Sequence, residues 1–328
     1  MPDYVIIYSL REAVSWKKII NPLSNILDKS KDTLSNVKDV VVEKLDQNND
    51  GVIGIEDIII LAIKMPGVHV SRESFLKKEL FKNHPEEVIE KAIATTPAKA
   101  GISLKEIDKI ADEVIKYERN CVSGISAALG APGGFAMAAT IPADIIQYYA
   151  YTLRAIQKLL YLYGFPEILS DEDELMLDSE TLNTIVLCLG VMNGVAGANN
   201  AVKAMAKALA VGVEKKLMNT ALTKGAIYPL IKSIFKWFCV KLTKSVFTGA
   251  VKKAIPVIGG AIGAGITFVS FKPCCDRLKN TLRDTMLSNP DHVSSEEENK
   301  YYNCIINGEI IYVEYEEVEV PDDELQTD

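Results

Sequence analysis

Histidine and tryptophan are scarce in this chain of 328 residues, which holds three of the former and two of the latter. His69, His84 and His292 stand in separate, turn-like contexts with no nucleophile pattern beside them. No GxSxG, Walker or Rossmann signature occurs, so the sequence offers none of the usual hydrolase or nucleotide-binding constellations. The six cysteines, at 121, 188, 239, 274, 275 and 304, form no CxxC pair and have no His at ligand spacing. Neither a zinc site nor a disulfide framework follows, and reduced thiols are expected, with the adjacent Cys274 and Cys275 read as packing after Pro273. The amino terminus has an acid at Asp3 and only a short apolar run before Arg11 and Glu12, unlike a basic region followed by a long apolar one. A secretory leader is therefore not predicted, and a cytoplasmic location is expected. The lysines are dispersed without a dense aromatic-interleaved basic patch, which argues against a nucleic-acid partner.

What the chain has in quantity is apolar residues, 48% of the total with a mean hydropathy of +0.11. They concentrate in uncharged, Gly/Ala-rich stretches at 121–143, 181–202 and 254–271. A spanning helix needs about 20 consecutive apolar residues, and Pro or Gly interrupts each stretch. Inner helices of a large bundle are one reading, with Gly259, Gly260, Gly263 and Gly265 permitting close helix approach. Insertion in lipid and a triggered apolar hairpin are the others. Charge is also segregated: from Ser288 onward thirteen acids face a single Lys300, a net −12, so the residues before it carry +4 of the chain's −8.

Apolar spacings of three and four residues predict a mainly α protein, a multi-helix bundle. Amphipathic helices are expected over 4–45, a short apolar helix over 58–63 stopping at Pro66-Gly67, and further helices at 71–80, 85–95 and 103–120. Ser103 to Glu106 matches a capping box. A long helix is predicted from Asp144 to about Tyr163, with Asp144 in its first turn complementing the helix dipole. Asn307-Gly308, between CII and EIIYV, predicts a type I′ β-hairpin near the C-terminus, ahead of an acidic tail. Divisions are expected at 1–69, 70–287 and 288–328.

The strongest chemical motif is DQNNDGVIGIED, residues 46–57. It has the spacing of an EF-hand-like calcium loop. Asp46, Asn48 and Asp50 supply side-chain oxygens at positions 1, 3 and 5, the Val52 carbonyl serves at 7, and Asp57 stands at 12. Gly51 allows the sharp turn at position 6, and Ile53 supplies the packing residue. Asp57 replaces the usual bidentate Glu, which lowers calcium affinity or admits magnesium. Gly54 at position 9 offers only a water. An upstream run, DKSKDTLSNVKD, lacks the central Gly and is rejected as a second loop. The alternative for 46–57 is a solvated Asx-rich turn.

The strings VSRESFLKKEL (70–80), PEEVIEKAI (85–93), PAKAGIS (97–103), APGGFAMAATIPADIIQYYAYTLRAIQKLLYLYGFPE (131–167) and AIPVIGGAIGAG (254–265) resemble the EcsC protein family of bacteria over roughly residues 70–285. The resemblance implies a helical protein associated with an ABC-transporter locus, membrane-associated and without established enzymatic activity. It carries over no catalytic residue. The combined expectation is a non-enzymatic, calcium-binding helical protein acting at the inner face of a membrane or on a transporter-type membrane-protein partner. A soluble structural or ligand-carrying bundle is the first alternative. The second is a lipid-directed hydrolase built on the polar residues Asp144, Gln147, Tyr148, Tyr151, Arg154, Gln157 and Lys158.

Overall fold

The computed structural model describes residues 47, 54–130, 136–169, 177–238 and 259–309, with side chains described outside 125–144 and 259–267. The predicted helices over 4–45, most of the calcium loop and the acidic tail lie outside these residues. Those described are helical, with no strand among them. In order the helices are α1 (Ile55–Ile63), α2 (Arg72–Leu80), α3 (Glu86–Ala94), α4 (Leu104–Gly130), α5 (Ala136–Leu162), α6 (Ser179–Asn193), α7 (Ala198–Ala210), α8 (Lys215–Thr223), α9 (228–238), α10 (Gly259–Arg283) and α11 (Glu296–Asn307).

The helix starts follow local chemistry. Ser71 Oγ accepts from Ser74 N at 3.4 Å to open α2, and Pro85 caps α3, where its missing N–H costs nothing. Ser103 Oγ accepts from Glu106 N at 3.3 Å to open α4. The Glu106 carboxylate is drawn elsewhere, accepting from Asn83 Nδ2 at 3.1 Å and lying 3.0 Å from His84 Nε2, so it ties α4 to the end of α2. Asp178 Oδ1 accepts from Thr181 N at 2.7 Å and begins α6, which ends at Gly194 with φ +76. The uncharged stretch 181–202 is therefore two helices, α6 and α7, turned by Gly194 and Gly197. Since α6 is buried on nearly every side from Leu182 to Met192, it needs no polar face.

α4 runs to Gly130, past its predicted end at 120, and α5 starts before its predicted first residue. α5 begins at Ala136, eight residues before Asp144, and continues through Pro142; α10 likewise continues through Pro273. Asp144 is thus not a first-turn residue, and its predicted complement to the helix dipole is withdrawn. Tertiary packing has overridden the breaker signal that a lone Pro gives.

α4, α5 and α10 pack together, and cross-helix pairs define their directions. Asp108 and Asp112 of α4 meet Arg283 and Lys279 of α10, while Arg119 lies 4.0 Å over the Phe268 ring, so these two helices are antiparallel. Gln147 meets the Val122 carbonyl and Tyr163 the Asp108 carboxylate, so α5 is antiparallel to α4 as well. α6 packs on α10, α7 on α6, α8 on α6, and α1 and α2 on α5. One apolar core runs through all of them, from Ile55 and Ile59 through Leu76, Tyr161 and Ile185 to Phe271 and Ile305.

The predicted hairpin at Asn307-Gly308 is not formed. Cys304, Ile305 and Ile306 belong to α11, and Gly308, at φ +71, is its left-handed C-terminal cap. Positive φ satisfies a type I′ turn and a helix C-cap equally well, so the dipeptide alone cannot distinguish them. The helix prevails because Ser295 Oγ caps its start by accepting from Glu298 N at 3.1 Å, and Tyr301, Cys304 and Ile305 bury one face against the core.

Candidate metal centre and buried charge clusters

α1 is a short helix of almost pure hydrocarbon, and the polar groups at its start come from Asp57. This residue occupies the third helical position, where its carboxylate can reach back over the unsatisfied N–H groups of the helix start. Oδ2 accepts from Gly54 N and Oδ1 from Gln47 N, both at 2.8 Å. Asp57 is fully buried, and Gln47 is held further by Lys64 Nζ, which donates to Gln47 Oε1 at 3.0 Å. Position 2 of the loop is thereby fastened to position 12, so the chain between them closes on itself. Asp57 thus presents two carboxylate oxygens, each accepting an N–H, at the twelfth loop position. That donor chemistry fits a hard cation cradled by the loop. Of the five predicted ligands only Asp57 is among the described residues; Asp46, Asn48, Asp50 and Val52 lie outside them. Among the described residues no three His, Cys, Asp or Glu side chains gather at metal-binding distance.

The polar face of α5 does three different things. Gln147 and Gln157 are fully buried and serve the backbone. Gln147 Nε2 donates to Val122 O at 3.3 Å, while Gln157 donates to Val68 O at 2.8 Å and accepts from Val70 N at 3.0 Å. Arg154 and Lys158 converge on Glu118 of α4, a carboxylate with no exposed surface. Arg154 Nε donates to Glu118 Oε2 at 3.1 Å, and Arg154 Nη1 donates to Gly67 O. Lys158 donates to Glu118 Oε1 and lies within 6 Å of the Phe75 and Tyr117 rings. Tyr151 stacks its ring 5.5 Å from the Arg154 guanidinium, and Tyr148 sits edge-on to Phe271 at 5.9 Å. The Asp144 side chain is outside the described residues.

Sequence reasoning passed over Glu118, although the signal was present. It falls on the buried stripe of α4 defined by Ile107, Ala111, Val114, Ile115 and Val122, where an acid at helical spacing requires a partner. It also passed over the junction of α10 and α11. There His292, barely exposed, lies between two carboxylates, with Nδ1 3.1 Å from Asp284 Oδ1 and Nε2 2.7 Å from Glu298 Oε2. Glu298 is fully buried and also accepts from Ser294 Oγ at 2.8 Å. Lys203 of α7 pairs with Asp284 and completes the cluster. Asp284, His292 and Glu298 are near in sequence but follow no regular spacing, and Lys203 lies 81 residues from Asp284, beyond the reach of spacing arguments.

His69 and His84 also lie beside acids, at 3.3 Å from Glu167 and 3.0 Å from Glu106. Arg72 is spent on carbonyls, donating to Phe165, Ile93, Ala92 and Thr95, which holds the end of α3 against the segment after α5. Cys121, Cys188, Cys274, Cys275 and Cys304 carry free thiols. Burial pushes the Cys188 thiol up to about 12 and Cys275 well above its ordinary value, so neither is a reactive thiolate at neutral pH.

Comparison of the chain with family models, with curated proteins and with solved structures finds no match.

Removing Glu118 leaves two cations facing each other in a largely buried site. Glu118→Ala is expected to cost about 3 kcal/mol of unfolding free energy, measured by urea denaturation. Glu73→Ala, which removes an exposed pair with Lys77, should cost at most about 0.5 kcal/mol. Equal costs would show that the cluster is no more than surface charge.

The Asp284 carboxyl is held below its ordinary range, first by the hydrogen bond from Lys203 and then by the charges of Lys203 and His292, against the opposing effect of burial. A depressed carboxylate contributes stability that is complete above its unfolded pKa and is lost as pH falls through the folded one. Acidification below about pH 4 should therefore destabilise the wild type more than Asp284→Asn. The difference is read from melting temperatures across pH 2 to 6 on the order of two-unit steps. Parallel curves would remove Asp284 from the acid response.

Proposed function

We propose that this is a non-catalytic helical protein that binds calcium, with magnesium as the competing ion, through loop 46–57. Its ligands are Asp46, Asn48, Asp50, the Val52 carbonyl and Asp57, and the bound ion secures α1 in the helical body. The observation that carries this reading is the closure of the loop by Asp57 onto Gln47 N and Gly54 N at the head of a helix that buries Ile55, Ile58, Ile59, Ala62 and Ile63. Any order the ion imposes on the loop is transmitted to Ile55, Ile58 and Ile59 and, through the Arg154 contact at Gly67, to α5.

Calorimetric titration of calcium into metal-free protein is expected to show one saturable site that is lost in an Asp46→Ala, Asp50→Ala double variant. At about 100 times the dissociation constant the ion should add on the order of 2.7 kcal/mol to stability, seen as a rise in melting temperature. No heat and no rise would reduce the loop to a turn.

A second element of the reading is action at the inner face of a membrane, in keeping with the resemblance to the EcsC family. Among the described residues no helix is long and apolar enough to cross a membrane. The directions of α4, α5 and α10 nevertheless bring three uncharged runs to one end of the body: 121–130, 136–143 and 259–271. At about 1.5 Å per helical residue the longest run measures roughly 20 Å, which supports entry into one leaflet rather than a crossing of the roughly 30 Å hydrocarbon layer. Phe268 and Val269 are exposed beside this end. Flotation with anionic vesicles should recover wild-type protein with the lipid and a Phe268→Gln, Val269→Gln variant with at least about fivefold less. Recovery of all wild-type protein in the lipid-free fraction, with and without calcium, would sink the membrane element while leaving calcium binding untouched.

A further inference from the structure

Charge along this chain is divided more sharply than its total suggests. From Lys215 to Cys275 there are ten lysines and no Asp or Glu, whereas from Glu309 to Asp328 there are nine acids and no basic residue. The first five of those lysines, Lys215, Lys216, Lys224, Lys232 and Lys236, lie on α8, its C-terminal cap and α9, and all five are exposed. Some lysines elsewhere in the body meet carboxylates, as Lys158 meets Glu118, Lys203 Asp284, Lys272 Asp276 and Lys279 Asp112; Lys82, Lys91, Lys99, Lys105, Lys109 and Lys116, without an ion pair among the described residues, are interspersed with the acids of residues 79–118. The five on α8 and α9 form no ion pair with any described carboxylate. Lys232 instead lies 4.7 Å over the ring of Tyr228. Val211, just after α7, and Leu217 on α8 are exposed as well.

The position of α11 supplies the second half of the argument. α11 packs against α7 and α8 and ends at Gly308, so the chain from Glu309 onward leaves from a helix in contact with lysine-bearing α8. Twenty residues reach roughly 65 Å when extended. α8 and α9 together measure about 30 Å, so reach is not limiting. The composition is matched as well: Glu314, Glu316, Glu317 and Glu319 are interleaved with Tyr315, Val318 and Val320. Such a segment carries both carboxylates for the lysines and apolar side chains for exposed hydrocarbon on the same helices. A segment tethered at this distance acts at a local concentration on the order of millimolar, which favours it over a free polyanion for the same surface.

We propose that residues 309–328 dock on the lysine face of α8 and α9 of their own chain and neutralise it, so that an anionic surface or polyanion must displace the tail to bind there. Zero-length carbodiimide coupling of the full chain, performed at low salt on a mixture of isotopically light and heavy protein, tests this directly. Expected are intrachain amide links from the acids of 314–324 to Lys215, Lys216, Lys224, Lys232 or Lys236, falling at least about fivefold near 0.5 M salt. Links spread evenly over the body's lysines, no links, or links only between light and heavy chains would overturn the proposal, the last in favour of a second copy as the occupant. Acetylation rates give an independent reading that does not depend on coupling. The five lysines should react at least about threefold faster in a Glu314→Gln, Glu316→Gln, Glu317→Gln, Glu319→Gln variant than in the wild type; unchanged rates would overturn the proposal as well.

Discussion

Glu118 has no contact with solvent, and a carboxylate so placed is tolerated only because Arg154 and Lys158 reach it from the adjacent helix. The same Arg154 donates to the Gly67 carbonyl, and one turn further along Gln157 donates to the Val68 carbonyl and accepts from Val70 N. α5 therefore sets the register of α4 on one side and holds the exit of α1 on the other. Exchange of Gln157 for hydrocarbon would leave the buried Val68 carbonyl unpaired, at a cost of roughly 1–3 kcal/mol.

That arrangement gives the segment ahead of α1 its mechanical meaning. α1 has no polar face of its own, so its place in the core depends on order at its two ends. Asp57 orders the first end by closing the loop, and α5 orders the second through the 67–70 connector. An ion bound at 46–57 would act on the first of these constraints, in direct contact with the core rather than on a detached appendage. The C-terminal side shows a related logic. Asp284, His292, Glu298 and Lys203 bring the end of α10, the start of α11 and α7 together through charge.

The helical class, the capping residues Ser71 and Ser103, and the helices near 58–63, 71–80, 85–95 and 103–120 were legible from periodicity and local hydrogen-bonding chemistry. Of the expected loop ligands, Asp57 stands at the head of a helix, and the other four lie outside the described residues. Three readings failed, each where a local signal permits two outcomes. Asn307-Gly308 serves a turn or a helix cap. Pro142 can begin a helix or be carried inside one. Asp144 reads as a dipole partner only if the helix starts where Pro suggests. In each case packing of the surrounding helix decided.

Sequence by itself determined the composition of the faces: which helices have an apolar stripe, which stretches carry no charge, and where acidic and basic residues are separated. It also determined the one ligand pattern with cation chemistry, because alternate Asx residues around a glycine are a local arrangement. Only the tertiary structure decided which charges meet, since Glu118 and Lys158, or Lys203 and Asp284, are brought together by helix packing across long separations. It likewise decided that three uncharged runs share one end of the body. The reason is that side-chain periodicity specifies what a helix must bury but leaves its direction and neighbours to the fit of the whole core.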